Sequence, residues 1–136
     1  MQLNPYLNFN GDCEAAFKFY ERCLGGKIQV LMTYGDSPAA AQTPPQLRGK
    51  IIHARLSVGA FLLMGSDAPP ERYERPQGLS VLFTTENAPD ARRIFTALSE
   101  KGTVRMPLEK TFFAEAFGSL VDRFGIPWMV GCLLDA

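Results

Sequence analysis

Chemistry in this chain has few parts to be built from. The sequence holds one histidine, His53, and three cysteines, Cys13, Cys23 and Cys132. His53 lies in KIIHARLSV, two residues before Arg55, and in an extended segment residues two apart share a face. An imidazole and a guanidinium side by side suit proton transfer or the holding of an anion, against the plainer readings of a hydrogen-bonded histidine and a salt-bridged arginine. Glu115 sits among aromatic residues in FFAEAFG, where a dry carboxyl would serve as an acid or base; an exposed loop glutamate is the competing reading. Asn4 and Asn8 flank Tyr6 at strand spacing and could read a polar ligand or simply solvate a strand. The cysteines form no CxxC pair and are odd in number, which argues against a disulfide framework and a zinc knuckle and for reduced, buried thiols. A nucleophilic cysteine would need His53 as its base.

The elements that must position these groups are legible from pattern. Residues 3–9 alternate apolar and polar as a first strand, with Pro5 restricting it to a strand start or an edge. Asn10-Gly11-Asp12 turns the chain into a helix reaching about Leu24, with Asp12 as the expected cap, Gly25-Gly26 as the stop and Ala16, Tyr20, Cys23 and Leu24 as the buried stripe. Strands are expected over 27–34, 50–58 and 61–64, the last two joined at Gly59-Ala60, with a long proline-bearing loop over 35–49 that suits a lid, a dimer contact or a neutral insertion. Residues 66–77 are polar and proline-rich and read as a linker. Beyond it come a strand over 79–84, a helix capped by Asn87 with Asp90 as reciprocal partner and Ala91, Ile94, Phe95 and Leu98 inward, a strand over 104–111, and a hairpin of 116–121 and 127–134. The order strand, helix, strand, strand, strand therefore occurs twice, as module one (1–66) and module two (78–136) joined by 67–77, in a chain the length of one ordinary domain. The expected class is α+β, two βαβββ modules forming curved sheets around a cleft, and the cleft is the expected site.

Composition removes several function classes. Basic and acidic residues balance at fourteen each, so no electrostatic footprint favours nucleic acid or an anionic membrane. No apolar run approaches bilayer length and the first residues carry no leader pattern; a cytoplasmic protein is expected. No glycine-rich strand-turn-helix segment offers a nucleotide phosphate site.

Three segments, PYLNFNGDCEAAFKFYERCLGG, IIHARLSVGAFLLMGSD and TFFAEAFGSLVDRFGIPWMVG, resemble the PhnB-like branch of the vicinal oxygen chelate superfamily, which includes glyoxalase I, bleomycin-resistance proteins, extradiol dioxygenases and fosfomycin-resistance proteins. The resemblance covers nearly the whole chain, and DRFGIPWMVG is its most specific part. It implies the paired-module fold, usually as a homodimer, and in the superfamily's enzymes a divalent metal held at four equivalent places. Carried over one by one, those places fall near Pro5 (or at Asn4 or Tyr6), at Met64, at Ser80 and at Met129. Proline, serine and two thioethers are a poor donor set for such an ion. The expectation is a protein with no metal cofactor that binds a small molecule in the inter-module cleft, lined by Met64, Phe112, Phe113, Trp128 and Met129 with His53, Arg55 or Glu115 as polar anchors; Asn8 and Ser80 complete the candidates. The alternative is a metal-dependent isomerase, lyase or thiol transferase with a degenerate site around His53. Expected partners are the ligand and a second copy of the chain, with no nucleic acid and no membrane.

Overall fold

Helix α1 (Cys13–Leu24) shows how module one is assembled. Its sequence CEAAFKFYERCL turns Cys13, Ala16, Phe17, Tyr20, Cys23 and Leu24 to the inside, and Gly25, at φ 73°, ends it in the left-handed conformation open to glycine. The computed structural model describes residues 1–134. In it α1 covers one face of an open four-stranded sheet built from β1 (Tyr6–Phe9), β2 (Lys27–Thr33), β3 (Ile51–Val58) and β4 (Phe61–Asp67), in the order β1-β4-β3-β2 with β1 and β4 parallel. The helix-facing row contains Leu7, Gly65, Ala54 and Leu31. A Cβ on Gly65 would lie 2.8 Å from the Leu7 carbonyl oxygen and 2.9 Å from the Phe17 ring, so helix and sheet approach this closely only over glycine.

Module two repeats the plan with β5 (Val81–Thr84), α2 (Ala88–Ser99), β6 (Thr103–Glu109), β7 (Ala114–Val121) and β8 (Pro127–Leu133), in the order β5-β8-β7-β6 with β5 and β8 parallel. Ala91, Ile94, Phe95 and Leu98 of α2 are buried, as their spacing predicts. The Asn87 side chain accepts from the Asp90 amide at 2.8 Å and donates back to the Asp90 carboxylate at 3.0 Å. By internal contacts the chain divides into Met1–Glu74 and Arg75–Ala136.

Four expectations change. The first strand begins at Tyr6 rather than residue 3, and Pro5 contributes only its carbonyl, accepting from Met64 N at 3.2 Å. The fourth strand runs on through Gly65, Ser66 and Asp67, so Asp67 belongs to the sheet and not to the linker. Asp12 makes no capping hydrogen bond with its side chain; the distant Asp67 carboxylate accepts from Gly11 N at 2.9 Å and Cys13 N at 3.0 Å instead. The loop over 35–49 is organised by two short 3-10 turns, Ala40–Gln42 and Pro45–Leu47, with Ser37, Thr43 and Leu47 buried.

Candidate functional site

Pairing register decides which side chains share the sheet face left open by each helix. In module one Tyr6 pairs with Met64, Met64 with Arg55 and Arg55 with Val30, which sets four side chains in a row across the face opposite α1. Asn8 pairs with Ser66 on the same face, and His53 with Met32. Asn8, His53, Arg55 and Met64, four of the candidates, are therefore brought together. The Tyr6 and His53 rings stack with centroids 5.9 Å apart and planes inclined by 23°, and the Tyr6 hydroxyl lies 3.4 Å from His53 Nδ1. Tyr6 and Met32 remain 45% and 40% exposed, so this face presents apolar and aromatic surface beside polar groups. The buried Arg55 Nε has no hydrogen-bond partner.

The helix-free face of module two is more apolar. Leu82 pairs with Met129, Met129 with Ser119 and Ser119 with Met106. One row along, Phe117 pairs with Gly131 and lies over it, a Cβ there meeting the Phe117 ring at 2.8 Å. Phe113 packs edge-on against Phe117 at 5.0 Å and against Phe112 at 5.1 Å. Phe112 itself is 94% exposed. Ser80 is exposed ahead of β5. Glu115 is also exposed, as the competing reading has it, though on β7 rather than in a loop, with Oε2 3.8 Å from the Cys132 thiol.

Trp128, a candidate for the lining, packs in the core instead. It pairs with Leu120 on the side facing α2, is 1% exposed, and donates from Nε1 to Asp122 Oδ2 at 2.9 Å. The same carboxylate accepts from Phe124 N and Ile126 N, so Asp122 fastens the hairpin turn to the core and Trp128 is part of that core. The cysteines form no disulfide and are buried. Burial, reinforced by the carboxylates of Asp67, Asp12 and Glu14, pushes the Cys13 thiol well above its ordinary range, so it is held protonated and unreactive.

The donor places carried over from the resemblance are refined by register. Tyr6, not Pro5, is the partner of Met64, and Leu82, not Ser80, is the partner of Met129. A phenol, two thioethers and an isobutyl group do not fit a divalent ion that takes imidazole and carboxylate ligands. Among the described residues no three His, Cys, Asp or Glu side chains converge as a metal site would require. No described helix is long and apolar enough to cross a membrane.

Two βαβββ modules with this strand order define the fold of the glyoxalase/bleomycin resistance/dioxygenase superfamily, to which structural neighbours of low sequence identity also point. Within it the chain belongs to the PhnB-like family whose model is described as 3-demethylubiquinone-9 3-methyltransferase and matches residues 1–131. It is 31% identical to Protein YjdN of Escherichia coli over 138 residues, spanning 96% of this chain and 94% of that one. The structure of PA1353 from Pseudomonas aeruginosa is 46% identical, covers 99% of both chains and superposes with a TM-score of 0.91. That of a PhnB protein from Bacillus cereus is 24% identical over 97% of this chain and 99% of its own, with a TM-score of 0.81, and shares the fold.

Proposed function

We propose that the protein is a small-molecule receptor that works without a divalent metal, taking its ligand on the helix-free face of a module. The observation that carries the reading is the module-one row of Tyr6, Met64 and Arg55 with the Tyr6–His53 stack beside it, where apolar area and hydrogen-bonding groups occupy one surface. Such a mixture is what a binding site offers: apolar contact for affinity and a few fixed polar groups for orientation. The superfamily's metal places support the metal-free reading, because thioethers fill apolar space well and hold hard cations poorly. Methyl transfer, the activity in the family model's description, would need a methyl donor site, and neither strand-to-helix turn, at Asn10-Gly11-Asp12 or Thr85-Glu86-Asn87, carries the glycine-rich pattern that cradles a nucleotide. The family resemblance further supports a homodimer, and three buried thiols in no disulfide accord with a reducing cytoplasm.

The test is the divalent-metal content of the purified protein together with a thermal-shift screen of small aromatic and polar compounds, before and after chelation. A ligand that binds only the folded state raises the melting temperature, and here it is expected to do so equally with and without chelator. A stoichiometric divalent ion whose removal abolishes ligand binding would overturn the reading. Sedimentation of the purified protein tests the dimer.

A further inference from the structure

Arg55 sits mid-sheet, between Met64 on β4 and Val30 on β2. Its Nε is buried and meets no acceptor, and Arg55 takes part in none of the ion pairs among the described residues, which join Lys18 to Glu14, Arg93 to Asp90 and Arg123 to Glu100. A buried polar donor without a partner is uncommon in folded proteins and costly, because the N–H has lost water and gained no acceptor. The strands of its own sheet supply no carboxylate on this face. On the helix-free face of module one the strands place Tyr6, Asn8, Lys27, Val30, Met32, His53, Ser57, Leu62, Met64 and Ser66, and no Asp or Glu. The carboxylate nearest this sheet in the chain, Asp67, points to the other side, where three backbone amides occupy it. A guanidinium with an unpaired donor, on a face whose only other lysine or arginine is Lys27 at the start of β2 and whose remaining strand side chains are polar or apolar without a carboxylate, complements one class of group, a planar or tetrahedral oxyanion attached to an apolar body.

We propose that the module-one site recognises a small-molecule oxyanion, with the Arg55 guanidinium as its counter-charge, the Tyr6–His53 pair supplying neighbouring hydrogen-bonding groups, and Met64 and Met32 contacting the rest of the ligand. This rests on the receptor reading above and adds the chemical class of the ligand. Arg55 is then a binding residue whose unsatisfied donor is the cost of keeping the site ready for its ligand.

The experiment compares benzoate, phenyl phosphate and neutral benzamide as probes of the full chain in low-chloride buffer, by calorimetry and by amide chemical shifts. The expected result is saturable binding of at least one anion, shifts centred on Tyr6, Asn8, Arg55 and Met64, and benzamide weaker by about tenfold or more. The benzoate and phenyl phosphate arms separate a carboxylate from a phosphoryl ligand. In Arg55→Met the anion affinity is expected to fall to that of benzamide while the ligand-free protein melts no lower than wild type, since a buried donor without a partner gives way to an apolar chain of similar length. Should Arg55→Met fail to fold, Arg55→Lys keeps the test, with the charge retained, the planar fork lost and anion binding reduced severalfold. Equal binding of benzamide and the anions, or anion affinity unchanged in Arg55→Met, would overturn the oxyanion assignment and leave the receptor reading standing. Failure of all three probes to bind would overturn the oxyanion assignment, and failure of the wider thermal-shift screen would bring down the receptor reading as well.

Discussion

Individual side chains in this protein owe their roles to parity along the strands. Trp128 and Met129 are neighbours in sequence and both are of a type that lines ligand pockets, yet adjacent strand residues point to opposite faces and only one of them can share a face with Phe117 or Ser119. The structure gives that place to Met129 and buries Trp128 against Leu120. Residue type alone could not choose between them, although alternation could have shown that the two do not line one surface. His53 and Arg55 were legible together for the same reason, being two apart. Tyr6 emerged as their companion only through the parallel register of β1 on β4, a pairing between residues nearly sixty positions apart that no local pattern specifies. Cys13 illustrates burial overriding position. A thiol at the start of a helix usually ionises more easily, but here desolvation and three carboxylates drive it the other way. Since the folded state holds the thiol's proton more firmly than the unfolded chain does, this group's contribution to stability is complete below the ordinary thiol value of 9.0 and declines as pH rises past it. The expected outcome is a chemical-denaturation midpoint that falls between pH 8 and 10.5, less steeply in Cys13→Ala than in wild type, with native Cys13 resisting alkylation at pH 8. Rapid alkylation of the folded protein at Cys13 would refute the burial account.

At the scale of elements, the helices were the most readable part of the sequence because their apolar spacing, glycine stops and the Asn87 cap all act over a few residues. Strand limits were less so. Nothing in LLMGSD marks where β4 stops, and its last three residues were assigned in part to a polar linker because serine and aspartate are common in turns. Asp67 stays in the strand because its carboxylate is spent on amides of Gly11, Cys13 and Ile51, an arrangement visible only once β1, β3 and α1 have been brought to it. The packing of α1 on β4 depends on Gly65 in the same way. Gly65→Ala is expected to push the Phe17 ring or the β1 backbone aside and to lower stability by about 1–3 kcal/mol, measured by urea unfolding. Gly49→Ala, where no atom lies within 4 Å of the added methyl, is the control and is expected to change stability by less than about 0.5 kcal/mol. Equal effects at the two positions would mean that the contact over Gly65 is not the constraint described.

For the molecule as a whole, the duplicated strand order was recoverable from sequence although the two halves share little identity, since pattern and order survive where side chains diverge. What has diverged is the side chains: one helix-free face holds His53, Arg55 and Tyr6, the other Leu82, Met106 and Met129. The family description raises methyl transfer, and the fold makes a sharp prediction about it. Each sheet has a single parallel pair and neither has the doubly wound order with a glycine-rich first turn, so S-adenosylmethionine at millimolar concentration is expected to leave the melting temperature unchanged. A rise of several degrees would restore the methyltransferase reading.

The modules match in topology but differ in how far away each helix finds its first-turn fastening. For α2 the partner is three residues distant, within the same turn of chain, whereas α1 relies on a carboxylate that follows Cys13 by 54 positions. During synthesis from the N-terminus, α1 is therefore made before Asp67 exists to seat it, while α2 carries its own starting point. The start of α1 must wait for the last strand of its own module to be fastened; the start of α2 need not.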